Sequence, residues 1–175
     1  MPSNIEIKAH VHDPADMENR VRAIADSGPQ LILQDDTFFG CEDGRLKLRV
    51  FSESEGELIF YKRDDSSGPS ESRYTRAATS EPDNMRVALA NANGVIGRVV
   101  KRRILYLKGR TRVHLDDVYD LGHFLELEVV LADDESTESG IQEADELVNV
   151  LGINREDLID VSYFDLLSAK LTAER

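Results

Sequence analysis

Arg45-Leu46-Lys47-Leu48-Arg49-Val50 alternates basic and apolar residues with a period of two. A β-strand sends successive side chains to opposite faces, so Arg45, Lys47 and Arg49 share one face and Leu46, Leu48 and Val50 the other. Three more regions repeat the alternation. Ile5, Ile7, Ala9 and Val11 alternate with Glu6, Lys8 and His10; Val113 and Leu115 alternate with Arg112, His114 and Asp116; Leu125, Leu127 and Val129 alternate with Glu126 and Glu128. Strands are also expected at 31–40, 56–63, 70–78 and 95–107, which makes about eight.

Turns at Glu42-Asp43-Gly44, Asp64 to Pro69, Lys108-Gly109 and Asp120 to Gly122 are short and polar, so neighbouring strands should run antiparallel. Helical spacing occupies 14–27, opened by Asp13-Pro14 and closed by Gly28-Pro29, with Met17, Val21 and Ile24 on one face. Further helices are expected over 82–93, 138–151 and 162–172. No repeat, linker or low-complexity block interrupts the chain, so residues 1–175 read as one domain of the α+β class. About eight antiparallel strands are enough to close a barrel.

The ionic faces are sorted by sign. Three bases stand at 45, 47 and 49, two at 101 and 103, and two acids at 126 and 128. A solvated sheet face carries Lys and Glu without any function, and that reading suffices for one strand alone. Sorting by sign, heavy use of arginine and enough strands to close a barrel weaken it, because closure turns one face of every strand into a shared lumen. Like charges in such a lumen are costly, so a ligand is expected to supply the counter-charge. The bases ask for a polyanion, and the paired glutamates are hard oxygen ligands suited to Mg²⁺ or Mn²⁺.

The whole chain excludes other partners. Its formal charge of −13 repels a phosphate backbone at long range, so nucleic acid is not expected. Between Arg98 and Arg112, however, seven basic residues occur with no acidic one, which suits a small anion. Cys41 is the single cysteine, so an intrachain disulfide is impossible and a cysteine-based zinc site is not expected. No apolar run approaches the ~20 residues of a membrane span, and Met1-Pro2-Ser3-Asn4 lacks signal-peptide character; a cytoplasmic location without membrane partners is the expectation.

The residues then meet a known pattern. Asn4-Ile5-Glu6-Ile7-Lys8 is similar to the ExExK signature that opens the CYTH domain. The likeness continues through Asp36-Thr37-Phe38-Phe39, Gly44 to Arg49, Gly68-Pro69 with Ser72 and Tyr74, Val99 to Arg103, Thr111 to Asp116, Leu121-Gly122, Phe124 to Glu128 and Ser162 to Leu167. The chain thus resembles the CYTH, or triphosphate tunnel, family over nearly its whole length. The resemblance implies an α+β fold, an eight-stranded closed antiparallel β-barrel with flanking helices, that holds a linear small-molecule triphosphate lengthwise. It implies that Arg45, Lys47, Arg49, Arg63, Lys101, Arg103 and Arg112 grip phosphate oxygens and that Glu6, Asp116, Glu126 and Glu128 hold metal. Lys8, also a phosphate contact, and Glu6 would then stand at the reacting end as catalytic residues.

Lys62 and Arg63 are adjacent and face opposite ways, and Arg63 is the preferred tunnel base. The first acid of the signature is Asn4 here, which can coordinate through its amide oxygen but brings no charge. His114 reads equally as a histidine bonded to a carboxylate or as a catalytic one. Tyr74 reads as a core tyrosine or as a neighbour of Lys8. The implied activity is metal-dependent triphosphate hydrolysis. The alternatives are a class IV adenylyl cyclase, which forms cyclic AMP and pyrophosphate from ATP, and a non-catalytic polyphosphate- or nucleotide-binding module. A monomer or a homodimer fits each.

Overall fold

The computed structural model describes the backbone of residues 3–63 and 70–174, and the side chains of residues 3–62 and 73–174. The strands are β1 (Ser3–His10), β2 (Ser27–Phe39), β3 (Arg45–Ser52), β4 (Glu55–Arg63), β5 (Ser70–Thr79), β6 (Val95–Lys108), β7 (Thr111–Val118), β8 (Gly122–Val130) and the two-residue β9 (Leu158–Ile159). The helices are α1 (Pro14–Ile24), α2 (Pro82–Asn93), α3 (Thr137–Val150) and α4 (Tyr163–Ala173), with a 3₁₀ turn at Arg155–Asp157. The sheet order β5-β4-β3-β2-β6-β7-β8-β1 is closed by an antiparallel β1–β5 pairing, so eight strands form a barrel. The expected closed antiparallel barrel with flanking helices is therefore the fold. β9 adds to β1 at Lys8 and Ala9 and was not foreseen.

The larger apolar cluster lies outside this barrel, while Ile32, Phe38, Phe51, Ile59, Val99 and Leu105 face the lumen. Ile5, Ile7, Leu125, Leu127 and Val129 point away from the lumen and are buried with Val21, Ala144, Leu147 and Leu151 of α1, α3 and the segment after α3. Each such side chain contributes roughly 1.5–3 kcal/mol of burial, so the core that holds the barrel lies between its wall and its helices. The interior is thereby free to carry the charged rows. Gly140 lets α3 approach the wall, since a Cβ there would stand 2.7 Å from side-chain atoms of both Ile5 and Leu131.

The helix starts follow local chemistry. Asp13 Oδ1 accepts from the backbone N–H of Asp16 at 3.0 Å, and Pro14 occupies the first turn of α1, where no N–H is needed. α1 stops at Ile24, short of the expected 27, because the Asp26 N–H donates to the Leu107 carbonyl and Ser27 already pairs with Leu107. Gly28-Pro29, read as a helix terminator, thus lies within β2 at an irregularity of its register. Helices at 82–93, 138–151 and 162–172 agree with α2, α3 and α4 to within a residue. Of the expected turns, Asp64 to Pro69 lies outside the described residues. Among those described, no helix is long and apolar enough to cross a membrane.

Candidate metal and anion site in the tunnel

α4 closes part of the barrel. Ser162 caps it reciprocally with Asp165, and Arg45 of β3 donates to Ser162 Oγ at 2.8 Å and to both Asp165 oxygens at 3.0 and 2.8 Å. Phe164 stacks on Phe38 with centroids 4.9 Å apart and lies over Gly97. Tyr163 tilts against Phe124 and sends its hydroxyl to Asp116 at 2.9 Å. The remaining tunnel has a volume of about 300 Å³, at the small end of the range for small-molecule pockets.

Strand register sets its ionic rows. Glu6 of β1 stands opposite Glu128 of β8, which stands opposite Arg112 of β7. Lys8 is likewise opposite Glu126, and Glu126 opposite His114. Lys8 Nζ lies 3.8 Å from Glu6 and 3.7 Å from Glu126, and 4.4 Å from the Tyr163 ring centre. Arg112 is 3.4 Å from Glu128. Lys101 and Arg103 enter from β6, and Lys47 and Arg49 from β3.

The chain itself supplies counter-charges, which corrects the expectation that a ligand must supply them. Asp36 accepts from Lys47 at 2.8 Å and from Arg49 twice at 2.7 Å. Asp116, 1% exposed, accepts from Arg103 twice at 2.7 Å, from Lys101 at 3.1 Å and from Tyr163. Arg103 also donates to Glu126 at 2.9 Å. Burial works against ionisation of Asp36 and Asp116, yet Arg49 with Lys47, and Arg103 with Lys101, outweigh it and hold both carboxyls well below the ordinary aspartate value. Burial, aided by Arg103, pushes the Lys101 ammonium down to about 8 against the pull of Asp116 and Glu126.

His114, Glu126 and Glu128 form the one group among the described residues in which three metal-ligating side chains converge, their ligand atoms lying within 4.8 Å of one another. His114 Nδ1 is 3.4 Å from Glu126 Oε1 and 3.9 Å from Glu128 Oε1, yet it is buried with no hydrogen-bond partner. Burial, then Arg103, lowers the His114 pKa, so the neutral ring is favoured, the form that offers a lone pair. An orphaned imidazole nitrogen facing two carboxylates fits a divalent cation. Asp116 does not join this group. Its four accepted hydrogen bonds use about all the lone-pair sites of a carboxylate.

The other expected residues are placed as follows. Glu6, Lys8, Lys47, Arg49, Lys101, Arg103, Arg112, Glu126 and Glu128 line one tunnel, whereas Arg45 is turned toward α4. Lys62 is on the outer surface, paired with Asp43; the Arg63 side chain, with Gly68, Pro69 and the side chain of Ser72, lies outside the described residues. Tyr74 lines the tunnel with Arg76 at 5.3 Å from its ring centre. Sequence reasoning missed Asp36, Asp165 and Tyr163 as partners of the bases. The available signal was the even parity of Gln34, Asp36 and Phe38 in one strand.

A closed barrel whose interior gathers arginines, lysines and a His-Glu-Glu cluster defines the class of protein. Residues 3–163 match the CYTH domain, and the chain belongs to that family. It is 24% identical over 169 residues to a Methanocaldococcus jannaschii protein provisionally named an adenylate cyclase, a match spanning 93% of this chain and 97% of the relative. The fold is also that of the PH1012 protein of Pyrococcus horikoshii, with a TM-score of 0.84, 22% identity, and coverage of 93% of this chain and 98% of that one. A Hippeastrum protein, provisionally an adenylyl cyclase and described as having dominant triphosphatase activity, superposes with a TM-score of 0.71 at 15% identity, covering 97% and 96% of the two chains.

Proposed function

We propose that this chain is a divalent-metal-dependent triphosphatase that binds a linear triphosphate along the barrel axis and transfers its terminal phosphoryl group to water. The observation that carries this reading is the convergence of His114, Glu126 and Glu128 beside Lys8, Arg103 and Arg112 in one tunnel. Water adds to the terminal phosphorus, the bond to the bridging oxygen breaks, the bridging oxygen leaves with the diphosphate, and the proton lost by the water passes to solvent or to the phosphate products. Such a transfer asks the protein mainly to position groups and neutralise charge.

Glu126 and Glu128, joined by His114 and with Glu6 opposite Glu128, would hold Mg²⁺ or Mn²⁺, which would supply Lewis-acid stabilisation of phosphate oxygens. With the two glutamates so engaged, Arg112 and Lys8 would be released toward the non-bridging oxygens, and Arg103, still held by Asp116, would have its Glu126-facing N–H free for them. Asp116 keeps Arg103 and Lys101 aimed into the lumen, and Asp36 does the same for Lys47 and Arg49. Arg45 would reach a phosphate only by releasing α4, and Arg63 is the further base proposed from its strand. Lys8, between Glu6 and Glu126, would neutralise charge on the group in transfer. The Glu126→Gln, Glu128→Gln double variant should release phosphate from tripolyphosphate at least 100-fold more slowly than the parent in Mg²⁺ or Mn²⁺. Undiminished turnover rejects the assignment.

The second reading, a cyclase, is favoured by the names of the M. jannaschii and Hippeastrum relatives. In it the ribose 3′-oxygen attacks the α-phosphorus and pyrophosphate leaves. Incubation with ATP separates the two, since cyclic AMP appears only in the second.

A further inference from the structure

Lys8 is 3% exposed, yet its hydrogen-bonding capacity is almost unused. Its Nζ stands 3.8 Å from Glu6 and 3.7 Å from Glu126, beyond hydrogen-bond reach, and its one hydrogen bond, at 3.4 Å, goes to the Val161 carbonyl. Lys101 is also buried and gives one hydrogen bond, to Asp116 at 3.1 Å. An ammonium carries three N–H donors, so each of these lysines keeps most of its donors unspent. Lys47, Arg49 and Arg103 differ, since each is tied to a carboxylate at 2.7 or 2.8 Å. A buried cation with spare donors is costly unless something else attracts it.

That attraction comes from Tyr163. Its ring centre lies 4.4 Å from Lys8 Nζ and 4.8 Å from Lys101 Nζ. The ring is buried and lines the tunnel. Phe124 tilts against it with centroids 4.9 Å apart, and its hydroxyl donates to Asp116 at 2.9 Å. Its backbone follows the Ser162 cap of α4, which Arg45 holds from β3. The ring is thus fixed at both ends. An aromatic face attracts a cation through its quadrupole, and more strongly where water is excluded. Unlike a carboxylate it offers no oxygen lone pair, so it holds an ammonium without capping the donors that a phosphate would use.

From this arrangement we infer that Tyr163 is a positioning residue, whose ring poises Lys8 and Lys101 with free N–H donors for the non-bridging oxygens of the triphosphate. The inference rests on the proposal that the tunnel binds triphosphate, and it assigns the site a residue supplied by α4. Without the ring, Lys8 is free to close on Glu6 or Glu126 and Lys101 to settle fully on Asp116. An incoming triphosphate must then pull both lysines away before it can bind.

The test changes the electronics of the ring at nearly constant shape. Tyr163→Phe is followed by phenylalanines carrying one, three and five ring fluorines, placed at position 163 by nonsense suppression, because fluorine withdraws charge from the ring face in steps. The readout is calorimetric titration of an inert inorganic triphosphate, with both bridging oxygens replaced by CH₂, in Mg²⁺. Tyr163→Phe keeps the ring and should bind within about threefold of the parent; affinity should then fall steadily with fluorine number, by roughly 5- to 30-fold in all. In a Lys8→Met background the same series should give a shallower slope, because one of the two cations is gone. Affinity independent of fluorine number overturns the inference, since the ring then serves only to pack α4. So does a Tyr163→Phe variant as weak as the fully fluorinated one, because the hydroxyl on Asp116 then carries the effect. An unchanged slope in the Lys8→Met background contradicts the role given to Lys8. Should the inert triphosphate fail to bind the parent at all, the triphosphate reading itself is refuted, an outcome distinct from the others.

Discussion

At the residue scale the tunnel is a set of cations held in place by acids of the same chain. Asp36 and Asp116 each clamp an arginine bidentately and a lysine end-on. The inward bases were legible from a period of two, because parity alone assigns a face. Their acids were not, since Asp36 meets Arg49 and Asp116 meets Arg103 across consecutive strands only in one register, and parity within a strand does not fix the register between two. Asp36→Asn leaves Lys47 and Arg49 buried without their anion and should lower unfolding free energy at neutral pH by about 3–5 kcal/mol. The carboxyl of Asp36 is depressed in the folded state, so the folded form binds fewer protons than the unfolded one. Its contribution is complete above the ordinary aspartate value of 3.8 and is lost as the pH falls below it. Urea denaturation of parent and variant should therefore converge on acidification below 3.8. A constant difference across that range contradicts the assigned role of Asp36.

At the element scale α4 is the piece that defines one end of the site. Its helical span was readable from Ser162 and Asp165 at cap and third position, but its docking was not, because that depends on Phe164 meeting Phe38 and the bare backbone of Gly97. A Cβ at Gly97 would stand 2.3 Å from the Phe164 ring, closer than atoms tolerate. Gly97→Ala should displace the ring, cost about 1–3 kcal/mol and speed amide exchange in α4 while leaving α3 protected. Unchanged exchange in α4 would mean that the helix is held by Arg45 and Tyr163 alone. The early end of α1 has a similar origin. Gly28-Pro29 has the local signature of a helix stop, yet the β6 partner strand claims the chain from Ser27, so tertiary pairing overrides the local signal.

At the scale of the whole molecule, closure decides everything. An open sheet with these faces would be an ordinary solvated surface; the β1–β5 pairing converts it into an enclosed channel in which charge must be matched. The charge of −13 coexists with a basic interior because the acids of α3 and the loops face solvent. On the proposed assignment the same closure makes metal and anion interdependent, since the carboxylates that would ligate a cation are those paired with Arg103, Arg112 and Lys8. Binding of one must then assist the other by the same factor in either order. The direct measurement is calorimetric titration of an inert inorganic triphosphate, with both bridging oxygens replaced by CH₂, into the parent protein, once in millimolar Mg²⁺ and once in chelator. Affinity at least tenfold higher with Mg²⁺, and a matching gain in Mg²⁺ affinity when triphosphate is already bound, is the result expected. Equal affinity in the two buffers would contradict a tunnel built to take metal and triphosphate together.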